Sequence, residues 1–244
     1  MIDRSLPGIN NMLEFRNVSK KFGKIEAIKD LSFTIDEGEF VFISGASGAG
    51  KTTLLRLLLR EILPNEGAIV IDELDITKLP RKQIPLMRRN IGVVFQDYKV
   101  LSERTVRENV EVALAVIGLP HKEWKSRVEH VLKLVGLEER MDLFPSQLSG
   151  GELQRVSMAR ALVVNPKIIL ADEPTGNLDW DTSDKIMELF EKINQEGKTI
   201  LMATHNKLII DKMKKRVIVL EGGRVSKDTT KKGKPKTEKE EEKE

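Results

Sequence analysis

The hydrophobic residues of this chain change period along its length, and the changes mark out its elements. Residues 13–18 and 31–35 alternate apolar and polar, the two-residue period of a half-buried strand, and a lysine-rich turn at 20–24 joins them. Phe40, Val41, Phe42 and Ile43 form instead an unbroken run, which predicts a strand buried on both faces. A glycine-rich turn follows, and a leucine-rich helix opens at Lys51 and ends in the turn Pro64-Asn65-Glu66-Gly67. Further strands are predicted at 68–71, 91–95, 168–171, 199–203 and 217–220, the last followed by a Gly222-Gly223 turn. Between 105 and 135 the period becomes helical. Val106, Val110, Ala113, Leu114 and Ile117 share one face, Gly118-Leu119-Pro120 breaks the run, and Val128, Val131, Leu132 and Val135 resume it. Helices are also predicted at 149–164, capped by Ser149 and stopped near Pro166, and at 182–193. The pattern is that of an α/β fold: a parallel sheet core, an N-terminal antiparallel β portion and an inserted α-helical subdomain at about 97–158. Residues 1–11 read as a flexible leader, 12–227 as one large α/β domain, and 228–244, reduced to Lys, Glu, Thr, Gly and Pro, as a disordered charged tail.

Composition narrows the chemistry mainly by exclusion. With no cysteine, disulfides, zinc-thiolate sites and thiol catalysis are ruled out. A net charge of +3 is too small to argue for a nucleic-acid partner. No apolar run approaches the roughly 20 residues that span a bilayer, and the N-terminus lacks the apolar stretch of a secretory signal. Any membrane role is therefore expected to come through a partner.

The turn after Ile43 carries the sharpest chemical signal. Gly45, Ala46, Ser47, Gly48, Ala49, Gly50, Lys51, Thr52 and Thr53 contain G-x-x-x-x-G-K-[ST] between a strand and a helix. Glycines let successive backbone N–H groups converge on phosphate oxygens, and the following helix aims its positive end at them. Lys51 can reach the terminal phosphates of ATP and Thr52 can ligate Mg²⁺. A second half-site lies at 168–173, where four apolar residues deliver Asp172 and Glu173 to a strand's C-terminal edge. Asp172 is placed to hold Mg²⁺, and Glu173 to polarise the attacking water. The third signal is Leu148-Ser149-Gly150-Gly151-Glu152-Leu153-Gln154, a capped, glycine-exposed helix start and so another anion-binding end. One phosphate loop does not need two such ends. The economical expectation is that Ser149, Gly150 and Gly151 close over the nucleotide of a second copy, making a homodimer.

LSGGELQ at 148–154, with GASGAGKT at 45–52 and ILADE at 169–173, resembles the nucleotide-binding subunit of ATP-binding-cassette (ABC) transporters, over residues 13–225. The resemblance implies a RecA-like core and an ATPase using Mg²⁺. It also implies roles for single positions. Gln96 matches the glutamine that senses Mg²⁺ and the partner subunit, Asn177-Leu178-Asp179 the loop at the dimer seam, and His205 the histidine that contacts the γ-phosphate. Phe22 stands where an aromatic stacks on adenine, although Tyr is usual there, and Leu153 replaces a frequent Gln. ADEPTGNLD (171–179) is similar to the lipoprotein-releasing, macrolide-exporting and FtsE-type cell-division subgroup, and FQDYKVLSERTVRENV (95–110) and ATHN (203–206) to its FtsE-type members. That likeness implies an FtsX-like membrane permease partner, a peripheral place on the cytoplasmic face of the bacterial plasma membrane, and control of peptidoglycan hydrolysis. The alternatives are a lipoprotein or small-molecule exporter's ATPase, a soluble ABC protein acting on ribosomes or DNA, and a P-loop kinase or GTPase. A soluble ABC protein would be expected to carry a second cassette or a long coiled coil, and a kinase or GTPase has no use for the 148–154 helix start.

Overall fold

The computed structural model describes residues 11–230, so the expected leader and tail lie outside the described residues except at their inner ends. There the boundaries move. Asn11 already belongs to β1 (Asn11–Phe22), which pairs antiparallel with β2 (Ile25–Asp36). The chain continues through β3 (Phe40–Ser44), α1 (Lys51–Leu58), β4 (Glu66–Ile71), β5 (Leu74–Asp75), α2 (Ile84–Arg88) and β6 (Ile91–Phe95). Three helices follow, α3 (Val106–Ile117), α4 (Trp124–Leu134) and α5 (Gly150–Leu162). Then come β7 (Ile168–Asp172), α6 (Trp180–Gln195), β8 (Thr199–Ala203), α7 (Lys207–Met213), β9 (Arg216–Glu221) and β10 (Arg224–Asp228). Asp228, expected to start the tail, ends a strand, because both its oxygens take N–H groups of Arg216, from Nε at 2.9 Å and Nη2 at 2.7 Å. Composition cannot reveal a partner twelve residues away.

Two sheets result, ordered β2-β1-β4-β5 and β10-β9-β3-β8-β7-β6. In the second, β6, β7, β8, β3 and β9 run parallel, and only the β9–β10 hairpin is antiparallel. Its strands sort their side chains by period two onto two cores. Val41, Ile43, Ile168, Leu170, Leu201 and Ala203 join the core shared with the antiparallel sheet and with Leu54, Leu55, Leu57 and Leu58 of α1. Phe42, Ile169, Ala171, Ile200 and Met202 face the opposite core, built with α3, α4, α5 and α6. Fixing these strands from both sides fixes their C-terminal ends, where every loop of the site begins.

Helix starts agree with the residues that cap them. Thr105 and Glu108 form a capping box for α3, and Ser149 and Glu152 another for α5. Asn109, fully buried on α3, ties down the segment before it: its Oδ1 accepts from the Leu101 N–H, and its Nδ2 donates to the carbonyls of Leu101, Arg104 and Thr105. Several features escape the hydrophobic pattern, the short α7 and the edge strand β10 among them. The five-residue α2 is too short to show a period, and the β4–β5 hairpin turns through Asp72 and Glu73, both left-handed, where glycine or asparagine is the usual signal.

Candidate functional site

The C-terminal ends of β3, β6, β7 and β8 meet in one cleft of about 460 Å³. Ala46, Ser47, Gly48, Ala49, Gly50, Lys51, Thr52 and Thr53 line one side, and Gln96, Asp172, Glu173 and His205 the other. α1 enters the cleft N-terminus first. Gly50 caps it in a left-handed conformation (φ 107°) with no side-chain hydrogen bond, so the first-turn amides are left for a ligand. Only glycine fits at Gly50, because a Cβ would stand 2.7 Å from the Ala27 carbonyl oxygen. Lys51 folds back over its own loop, its Nζ donating to the Gly45 carbonyl at 2.7 Å and lying 4.0 Å from Glu173 Oε1. Phosphate oxygens would replace those acceptors. Lys51→Ala is expected to weaken ATP binding about 10- to 100-fold, the scale of one hydrogen bond to a charged group. Calorimetry checks this, and unchanged affinity would remove Lys51 from phosphate binding.

Opposite the loop, the Thr52 hydroxyl donates to Asp172 Oδ2 at 3.3 Å. Burial pushes the Asp172 carboxyl above its ordinary range, and the adjacent Glu173 charge adds to this against the pull of Thr52 and Lys51. A half-buried carboxylate beside a hydroxyl, both hard oxygen donors, fits a divalent cation. Among the described residues no group of three or more His, Asp or Glu side chains converges as a metal cage. A cation here would complete its shell with phosphate and water, the habit of Mg²⁺. Glu173 sits one residue beyond β7 with φ 48°, a left-handed conformation uncommon for a side chain of this size. It is held on all sides: its N–H donates to the Ala203 carbonyl, Oε2 accepts from the Thr204 hydroxyl at 3.1 Å, and Oε1 lies 2.6 Å from His205 Nδ1. Glu173 is thus a largely buried acceptor aimed beside Lys51, while the His205 side chain is 71% exposed and free to meet a ligand.

The remaining predicted positions do not line this cleft. Phe22 ends β1 as an exposed ring with the Lys20 ammonium 5.2 Å from its centre. Asp179 caps α6, accepting from the Thr182 N–H at 2.9 Å and the Thr182 hydroxyl at 2.7 Å. Ser149, Gly150 and Gly151 form the tip of α5. The Ser149 hydroxyl donates to Glu152 Oε2 at 2.8 Å, and Gly151 lies so close to α6 that a Cβ would meet Thr182 Cγ2 at 2.4 Å. Other residues came to light only in three dimensions. Ala27 of β2 lines the cleft from the other sheet. Gln154 donates to the Phe95 carbonyl, and Arg160 donates to those of Tyr98 and Lys99, two successive left-handed residues, so α5 grips the chain on both sides of Gln96. The helical period marks Arg160 only as one more position on α5; its carbonyl partners lie about sixty residues back.

Known proteins resemble this chain in sequence and fold. The family model described as ABC transporter matches residues 28–176. The chain is 50% identical over 218 residues to the cell division ATP-binding protein FtsE of Bacillus subtilis, covering 89% of this chain and 96% of that protein. It is 48% identical over 222 residues to FtsE of Streptococcus pneumoniae, covering 91% and 96%. Among solved structures, a dimeric post-hydrolysis state of the ATP-binding cassette MJ0796 bound to ADP and Pi superposes with a TM-score of 0.80 at 39% identity, over 91% of this chain and all of that one. With the family model matching more than half of the chain and identities this high over nearly all of it, the chain belongs to the ABC transporter family as an ATP-binding, ATP-hydrolysing subunit.

Proposed function

We propose that this ATPase works as a head-to-tail homodimer on an FtsX-like permease, at the cytoplasmic face of the bacterial membrane, and transmits closure to the control of peptidoglycan hydrolysis during cell division. The observation that carries the dimer is the separation of two anion-binding helix ends. The Lys51 end lines the cleft and the Ser149 end does not. In the dimer, each Ser149-Gly150-Gly151 tip covers the γ-phosphate held by the other copy's loop, with Asp179 at the seam and Phe22 stacking on adenine. Thr52, Asp172 and the side-chain oxygen of Gln96 would hold Mg²⁺, which neutralises phosphate charge when bound. Glu173 orients the attacking water as general base, Lys51 balances the phosphate charge, and His205 moves between Glu173 and the γ-phosphate.

Support for a membrane partner comes from the relatives' cell-division role and from a groove on the flank of the fold. This groove, of about 380 Å³, is lined by the apolar Gly92, Ala113, Val116 and Ile117 and by the exposed Arg88 and Arg89. It suits an amphipathic helix carrying acidic residues, contributed by a permease loop. No helix among the described residues is long and apolar enough to cross a membrane. Val116, 77% exposed, tests the groove. With the wild-type chain as bait, an FtsX-like protein is expected to co-purify from detergent-solubilised membranes. Val116→Asp is expected to lose it while ATP binding in solution stays unchanged. Recovery of an exporter-type permease in its place would contradict the cell-division role.

A further inference from the structure

Gln96 leaves the end of β6 and lines the cleft beside Thr52 and Asp172, but its side chain is not free. The turn that begins at left-handed Glu173, closed by hydrogen bonds from the Gly176 N–H to the Glu173 carbonyl and from the Leu178 N–H to the Thr175 carbonyl, lays Gly176 and Asn177 against it. Two contacts join Asn177 to Gln96, and together they decide how both amides point. Asn177 meets the Gln96 main-chain oxygen at 3.1 Å. A carbonyl oxygen only accepts, so that end of Asn177 must be its Nδ2. The other end, Oδ1, then faces the Gln96 side chain at 3.0 Å, and an oxygen there requires a donor. The Gln96 atom facing Asn177 is therefore Nε2. Oε1 is left as the end turned away from Asn177.

We infer that Asn177 is a positioning residue that holds the Gln96 amide in the flip presenting an oxygen, not an NH₂ group, to a cation in the cleft. A glutamine amide has two nearly isosteric flips, and only one of them offers a hard ligand. Without Asn177, Gln96 spends part of its time in the wrong flip, and a cation must select the right one. Gly176 belongs to the same device. A Cβ there would stand 2.8 Å from Nε2 and 2.9 Å from Cδ of Gln96, so any larger residue pushes the amide out of the clamp. The inference rests on the proposed role of Gln96 as a Mg²⁺ ligand, and the test separates the two.

The probe is Mn²⁺, titrated into the full chain with a non-hydrolysable ATP analogue and read as free Mn²⁺ by electron paramagnetic resonance. Gln96→Ala is expected to weaken Mn²⁺ binding. Asn177→Ala and Gly176→Ala are each expected to weaken it about three- to tenfold, the scale of one neutral hydrogen bond. For Asn177→Ala and Gly176→Ala, analogue binding in excess EDTA should not change. The double variant Gln96→Ala/Asn177→Ala is expected to bind no worse than Gln96→Ala, because Asn177 acts only through Gln96. Full Mn²⁺ affinity in Gln96→Ala would overturn the ligand role and the inference with it. Weakened binding in Gln96→Ala with full affinity in Asn177→Ala, or additive losses in the double variant, would overturn the positioning role alone.

Discussion

Glu173→Gln will bind ATP as tightly as the wild-type chain and hydrolyse it on the order of 10²- to 10⁴-fold more slowly, the usual contribution of a positioned general base. The geometry gives the reason. Both Glu173 oxygens are held, one by the Thr204 hydroxyl and one by His205, and the nearest phosphate-loop group, the Lys51 ammonium, stands 4.0 Å from Oε1, outside hydrogen-bonding distance. A glutamine can keep one acceptor contact and the strained turn, but it cannot take a proton from water. In the proposed site ATP is held by Lys51, Thr52 and the amides of the loop, none of which the substitution replaces. With hydrolysis blocked, ATP should accumulate at the seam and hold two copies together. Light scattering should then find a species of about twice the 27.6 kDa of the monomer in ATP and none in ADP. Turnover at the wild-type rate would remove Glu173 from the chemistry.

Ser149→Arg should abolish measurable ATPase activity while a single copy still binds ATP with unchanged affinity. Ser149 caps α5 and pairs with Glu152, whose carboxyl is held below its ordinary range first by the Ser149 backbone N–H and then by its hydroxyl. An arginine at this tip removes the cap, a loss of about 1 kcal/mol that leaves a domain of this size folded. Its bulk occupies the place where a neighbouring copy's phosphate would enter. Since Ser149 is not part of its own chain's cleft, a loss of turnover without a loss of affinity reports an effect across a boundary. Mixed with Lys51→Ala chains, the variant should regain part of its activity, because one of the two composite sites is then assembled from intact halves.

Much of the fold was legible because its determinants are local. The apolar runs at 40–43, 91–95, 168–171 and 200–203 match the parallel strands nearly residue for residue, since a strand covered on both faces has few polar positions to blur its limits. The phosphate loop and the Asp172-Glu173 edge were equally plain, as their chemistry depends on adjacent residues. What could not be read is whatever joins distant segments. The grip of Gln154 and Arg160 on the chain beside Gln96, the Asn177 clamp and the Arg216–Asp228 pair each depend on two elements that meet only after folding. Phe22 shows the same limit from the other side. Its place in the sequence suits an adenine platform, and the structure finds its ring open to solvent beside Lys20, outside the enclosed part of the cleft.

A crystal structure of the Glu173→Gln chain grown with ATP and Mg²⁺ decides whether the nucleotide is shared between two copies. Each ATP is expected between two copies, with its phosphates on one copy's Lys51 loop and its γ-phosphate capped by Ser149 and Gly151 from the other. An ATP enclosed by a single copy, with no serine–glycine tip from a neighbour within hydrogen-bonding distance, would contradict it.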